Sequence, residues 1–331
     1  MSTKAVEKTK FELKAGMATR EAFGKALVEA GRRNRDVVVC DADLSKSTMT
    51  HLFAKEFPDR FFSCGIAESN MVALGAGLAY GGKVPFVSSF SAFVMTKGFE
   101  QLRVTAAYPK VNLKVVGTHS GISIGEDGPS QMSVEEIALA CSLPGFTVLS
   151  PADEVATRAH VLWAAEHQGP VFIRTGRPKA PVIYGPEQDF TVGKSVELLP
   201  GTDATIIATG LLVAEAIRAH ETLAAEGISA RVLDFHTIKP LDVEAIGRAS
   251  RETGAIVVAE EHLVDGGLGV RVAQAVTQIA PCVMEFVGIC DTYAESATPQ
   301  ELLTKYGLVS VDLAVATRKA LKRKPGCLRH F

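Results

Sequence analysis

No two cysteines stand at C-x-x-C spacing, and no group of His and Cys shows zinc-ligand spacing, so a structural zinc site is not expected. The six cysteines, Cys40, Cys64, Cys141, Cys282, Cys290 and Cys327, are scattered, mostly inside apolar runs such as VVVCD and FVGIC. They read as small core hydrophobes in a reducing compartment. The first ten residues, MSTKAVEKTK, contain no apolar core of a secretory leader. No apolar stretch reaches the ~18 residues of a membrane span, so no membrane is expected and the cytoplasm is the expected location. Charge of one sign is not in excess: 35 Lys and Arg face 37 Asp and Glu, for a net charge of −2. That balance gives no reason to expect nucleic acid as a partner. Solenoid repeats and low-complexity tracts are absent as well.

What is present is an ordinary globular composition, 47% hydrophobic and 22% charged. A chain of 331 residues suits two domains. Short β-branched runs at 37–41, 85–89, 113–117, 147–150 and 171–174 alternate with helical patterns at 20–31, 69–81 and 153–167. These runs are apolar without alternation, as in a parallel sheet covered on both faces. The stretch RTGRPKAPVIYGPEQDF (174–190) has three prolines, two glycines and no period, and reads as a linker. Strand-like runs restart at 205–210, 230–235, 255–260 and 283–288, with a helix expected after each. The expected fold class is α/β: two tandem domains with mostly parallel sheets covered by helices. The boundaries are an N-terminal extension 1–15, a first domain 16–190 that includes the linker, and a second domain 191–331.

In such sheets ligands bind at the carboxyl ends of strands, so the loops that follow strands carry the chemistry. Four stand out. In CDADLSKS (40–47), Asp41 and Asp43 follow a strand, where helix capping is the plain alternative to a functional role. In FFSCGIAESNMVALGAG (61–77), Glu68 opens an almost wholly apolar helix. Dipole compensation explains an acid there, but neighbours Ile66, Ala67, Met71 and Val72 point to a poorly solvated carboxyl that can share a proton near neutral pH. In SSFSAFVMTKGFEQLR (88–103), Phe90 and Phe93 share a helix face as core or as a ring platform, and Ser88, Ser89 and Ser91 read as an exposed rim. The fourth, GTHSGISIGEDGPSQMSVEE (117–136), gathers His119, Glu126 and Asp127 among four glycines, and is either a functional loop or a flexible connector. A GxGxxG cradle is absent, and DGGLG (265–269) reads as a helix N-terminal turn rather than a dinucleotide site.

Read in order, ATREAFG, DADLSKS, GIAES, SSFSAF, THSGISIGEDGPSQ and IRTGR resemble the pyrimidine-binding domain of transketolase. VLDFHTIKPLD followed by EEHLVDGGLG resembles its Rossmann-like C-terminal domain, so the likeness runs from about residue 16 to the end. The resemblance implies thiamine diphosphate as coenzyme, whose thiazolium carbon performs carbon–carbon chemistry. It implies that Glu68 hydrogen-bonds the aminopyrimidine, that Phe90 and Phe93 form the aromatic platform, and that Leu44 and Asp43 line the same pocket. It places Arg20, Ser47, His119 and Arg174 on a substrate phosphate, a set whose chemistry suits a dianion, and Asp127 on a sugar hydroxyl. The implied activity is transfer of a two-carbon ketol unit between sugar phosphates.

Two departures matter. Gln131 replaces a family histidine, and an amide binds a hydroxyl but cannot titrate; Thr96 replaces an aromatic. The second departure is larger. No diphosphate-binding domain precedes residue 16, and no G-D-G…N run occurs. The resemblance therefore implies a split enzyme. A separate N-terminal subunit holds the diphosphate and its Mg2+ or Ca2+, with two copies of each chain in a heterotetramer and an exposed apolar face where they dock. The alternatives are the beta subunit of a 2-oxoacid dehydrogenase, an enzyme like deoxyxylulose-phosphate synthase, and a non-catalytic paralogue that only binds a metabolite.

Overall fold

The structure, a computed structural model, describes residues 11–324; Cys327 and the start of the N-terminal extension lie outside them. Six runs of the first half form parallel strands of one sheet, in the order Thr147–Leu149, Val171–Arg174, Lys114–Thr118, Val84–Phe90, Val37–Asp41, Phe61–Ser63. Five of these strands, all but Phe61–Ser63, are buried at every position, as unalternating apolar runs require. Helix Thr19–Arg33 packs on helix Glu154–Glu166 on the sheet's flank. The carboxylate of Asp153 caps the latter through the amide of Ala156 at 2.8 Å. Helix Glu68–Tyr80 lies against strand Val84–Phe90.

The second half builds a five-stranded sheet in the order Val283–Ile289, Ala255–Leu263, Ala204–Ala208, Ala230–Asp234, Val196–Leu199, antiparallel only at the last strand. Helices Leu212–Ala225 and Ser310–Lys322 pack together over it. DGGLG is a helix N-terminal turn, as expected: the amides of Leu268 and Gly269 donate to the Glu260 carboxylate at 2.7 and 2.8 Å.

Two expectations change. The stretch 174–190 is more than a linker, because Lys179–Val182 pairs antiparallel with Lys14–Ala18. Proline is tolerated in this pair because a two-stranded ribbon has edges only. The halves are also less separate than a boundary near 190 implies. Strand Thr237–Lys239, from the second half, pairs antiparallel with Thr147–Leu149 and becomes the seventh strand of the first sheet. Apolar packing crosses the junction too, with Val115, Val148 and Phe172 in one cluster with Ile207, Leu233 and Ile256.

Candidate functional site

The carboxyl ends of the first sheet place the loops singled out by sequence along one edge. At the first, Asp41 is structural: it is buried, and accepts from the Leu44 amide and from the hydroxyls of Thr48 and Thr50 at 2.7, 2.7 and 2.8 Å. Those bonds shape the turn, which presents Asp43 to solvent at a positive φ of 65° and packs Leu44 against the cluster containing Phe90 and Phe93.

Glu68 begins its helix with only 3% of its surface exposed, although Ile66 beside it is 78% exposed. Its Oε2 lies 3.6 Å from the ammonium of Lys97. That ammonium also sits over the Phe93 ring, 4.5 Å from its centroid. Phe90 and Phe93 stack with centroids 5.6 Å apart and planes 13° apart. The imidazole of His119 stacks on Phe90 at 3.8 Å. The three serines do not form a rim: Ser88, Ser89 and Ser91 are fully buried, the first two in strand Val84–Phe90, which is internal to the sheet, and Ser91 at the start of helix Ser91–Lys97. Ser88 donates to the Val116 carbonyl, and Ser91 shares a hydrogen bond with Ser120.

The glycine-rich loop is pinned rather than flexible. Gly121 bridges to Ser133, and the Ser123 amide donates to Glu261 of the second half at 2.6 Å. Gly121 has φ +84°, and a Cβ there would stand 2.2 Å from the Glu261 carboxyl, so only glycine fits. The loop holds His119 at φ +57°. Its Nε2 faces Arg20 Nη1 at 3.4 Å, and its Nδ1 faces the Thr118 hydroxyl at 2.9 Å. A guanidinium only donates, so Nε2 is the acceptor and Nδ1 carries the proton. Burial, reinforced by the charges of Arg20 and Arg177, pushes the imidazole pKa down to about 3.

Arg20 donates to the Ser47 carbonyl at 2.7 Å, while its Nε is buried with no partner. The Arg20 amide bonds to the Gly176 carbonyl, and the Gly176 amide bonds to Thr19 Oγ1 at 2.7 Å. That double tie brings Arg177 beside Arg20. Arg177 donates to the Ile124 carbonyl and reaches Glu126 at 3.1 Å and Asp127 at 3.6 Å. Gln131 is half-buried on the same loop, its Oε1 accepting from Ser130 at 2.6 Å.

Arg174 does not join this basin, which corrects the sequence expectation. It ends a strand covered on both faces. Its Nε donates to Glu136 at 2.6 Å and its Nη2 to the Glu261 carbonyl at 2.8 Å, tying the two halves together. The arginine at the basin is Arg177, three residues on. Sequence reasoning missed both it and Lys97. Lys97 was signalled by standing four residues after Phe93 on one helix face.

Glu68, Phe93, Phe90, His119, Arg20 and Arg177 thus form a continuous band. A buried acid and stacked rings suit a flat heterocycle at one end, and an orphaned arginine donor beside a second guanidinium suits an anion at the other. By class this is the carboxyl edge of a parallel α/β sheet, the edge where such folds bind ligands.

Comparison with known proteins gives the family. The model of the transketolase pyrimidine-binding domain matches residues 15–182, and that of the transketolase C-terminal domain matches 193–312. A putative transketolase C-terminal section from Methanocaldococcus jannaschii is 41% identical over 92% of this chain and 96% of its own length. Human transketolase is 41% identical over 91% of this chain, which spans only 49% of the human protein. A solved structure described as a split gene transketolase, inactive beta4 tetramer, matches with a TM-score of 0.88 at 48% identity, over 94% of this chain and 100% of that one. The chain belongs to the transketolase family, a family of transferases, and corresponds to the C-terminal section of a split transketolase. Among the described residues no helix is long and apolar enough to cross a membrane.

Proposed function

We propose that this chain is the C-terminal subunit of a thiamine-diphosphate-dependent transketolase. It transfers a two-carbon ketol unit between sugar phosphates only when joined to a separate diphosphate-binding subunit, two copies of each. The observation that carries the reading is the buried Glu68 carboxyl beside a stacked phenylalanine pair, at one end of a band whose other end is a two-arginine basin.

The residues fit the coenzyme's aminopyrimidine. Glu68 offers a carboxyl shielded from water, Phe93 and Phe90 offer a stacking surface, and Leu44 and Asp43 close the turn beside them. When bound, thiamine diphosphate would supply an acidic carbon for carbon–carbon chemistry at a carbonyl. This chain's part is to exchange a proton between Glu68 and a ring nitrogen, and to hold the ring by stacking. Among the described residues no group of three or more His, Cys, Asp or Glu is placed to hold a metal ion. The diphosphate and its Mg2+ or Ca2+ are assigned to the partner subunit.

Arg20, Arg177 and Ser47 bind the phosphate end of the sugar, Arg177 taking the place expected for Arg174. The orphaned Arg20 Nε is a ready donor to a phosphate oxygen. His119, neutral and with its Nε2 lone pair loosely engaged, accepts from a substrate hydroxyl. Asp127 and Gln131 read further hydroxyls. Docking of the partner is supported by exposed apolar side chains around the Glu68 helix: Ile66, Leu74 and Tyr80, with Val104 and Tyr108 nearby in the chain. The similar solved protein is an inactive tetramer of one subunit type, as expected of a half-site standing alone.

The test is reconstitution with the diphosphate-domain chain of the same source, assaying ketol transfer from a phosphorylated ketose to an aldose phosphate. Glu68→Gln is expected to lower turnover at least about a hundredfold, the range for a general acid–base group. An unchanged rate sinks the reading and leaves the non-catalytic paralogue standing.

A further inference from the structure

We propose that Lys97 is a built-in stand-in for the coenzyme's ring, holding the Glu68–Phe93 site in the coenzyme-free chain and leaving it when the ring binds. The inference rests on the proposed function and goes beyond it by naming a residue that sets coenzyme affinity.

The geometry is one of mutual exclusion. Stacked aromatic rings lie about 4.5–7 Å apart between centroids. The Lys97 ammonium stands over Phe93 at 4.5 Å from its centroid, inside the volume a stacked ring needs. A ring nitrogen bonded to a carboxyl oxygen sits at about 2.7–3.2 Å. The same ammonium is 3.6 Å from Glu68 Oε2, on the approach to that oxygen. One cationic group therefore covers both surfaces that the ring must use.

It is suited to hold the place and to give it up. A nearly buried acid is costly without a compensating charge, and Lys97 is the cation within ion-pair distance of Glu68 among the described residues. Lys97 ends helix Ser91–Lys97, and its carbonyl accepts from Ser69 Oγ at 2.5 Å, so its backbone is fastened to the start of the Glu68 helix. Its side chain is 52% exposed and can swing into solvent on a flexible stem without moving that anchor. Ring binding exchanges an ammonium–carboxyl pair and a cation–π contact for a hydrogen bond and a ring stack. The measured affinity for the coenzyme is the difference between the two states.

The experiment measures the dissociation constant of thiamine diphosphate at saturating Mg2+ in the reconstituted complex, by calorimetry, for the unaltered chain, Lys97→Met and Lys97→Arg. Lys97→Met keeps length and apolar packing while removing the charge. It is expected to bind the coenzyme about five- to tenfold more tightly, from the modest worth of a half-exposed pair and cation–π contact. Lys97→Arg, which retains both contacts, is expected to bind like the unaltered chain. A Lys97→Met complex that binds equally or more weakly overturns the proposal and makes Lys97 a structural tie. An unaltered complex that takes up no coenzyme overturns the proposed function instead. A second readout is acylation of Lys97 by an amine-reactive reagent. Its rate is expected to rise when coenzyme is added, and a fall refutes displacement.

Discussion

His119 combines a left-handed backbone, a stacked aromatic neighbour and two nearby guanidiniums, and each bears on its proton. Unfolded histidine titrates near 6.5, whereas here burial lowers the value to about 3. The unfolded chain therefore binds more protons between those values. The stability that this neutral imidazole contributes is full above about 6.5 and is lost as pH falls toward 3. His236, pushed by burial to about 4, acts in the same sense, while Asp234, raised to about 8, acts in the opposite one. The readout is thus a difference between variants. His119→Asn is expected to lose about 1–2 kcal/mol less stability than the unaltered chain between pH 7 and pH 5 in urea titrations. Identical slopes contradict a buried neutral imidazole.

Under the proposed function the two arginines of RTGR have different tasks, Arg174 in the fold and Arg177 in binding. Arg174→Ala leaves Glu136 and Glu261 without their buried cation, and is expected to cost about 3–5 kcal/mol of stability, seen as a lowered Tm. Arg177→Ala is expected to leave Tm nearly unchanged and to raise KM for the phosphorylated sugar about ten- to a hundredfold, the worth of a charge-assisted hydrogen bond. The reverse pattern returns Arg174 to the site.

The strands that read as unbroken apolar runs, such as Val37–Asp41 and Val171–Arg174, lie where the sequence places them, because burial on both faces forces that composition. The helix beginning at Glu68 was legible from helical spacing; Phe90 and Phe93 were legible as neighbours, but Phe90 ends strand Val84–Phe90 and only Phe93 lies in the helix that follows. The orientation of polar side chains at strand ends was not. Ser88, Ser89 and Ser91 read as solvent-facing, yet all three are buried, with Ser88 bonded to the Val116 carbonyl and Ser91 to the Ser120 hydroxyl. Arg174 read as a ligand group, yet its acids arrive from residues 38 and 87 positions away. Such pairings depend on tertiary contact, which no local pattern encodes. Pairing of Lys14–Ala18 with Lys179–Val182 was hidden for the same reason.

On the scale of the complete chain, the site and the junction between halves cannot be separated. The loop that carries His119 is pinned by Glu261, and Arg174 reaches across to the same residue. The second half thus holds the geometry of a band whose side chains all come from the first. A change at Glu261 is a change to the site, though the residue touches none of the band's side chains named above.

Strand Thr237–Lys239 has a practical meaning for anyone who would cut this gene at the boundary that composition suggests. A product ending at residue 190 would present Thr147–Leu149 as a raw border with unpaired amides and carbonyls, an invitation to self-stacking. It is expected to collect in the insoluble fraction, while the intact polypeptide stays in the supernatant. A clean monomer of 1–190 with native circular dichroism would show that the borrowed ribbon is ornament.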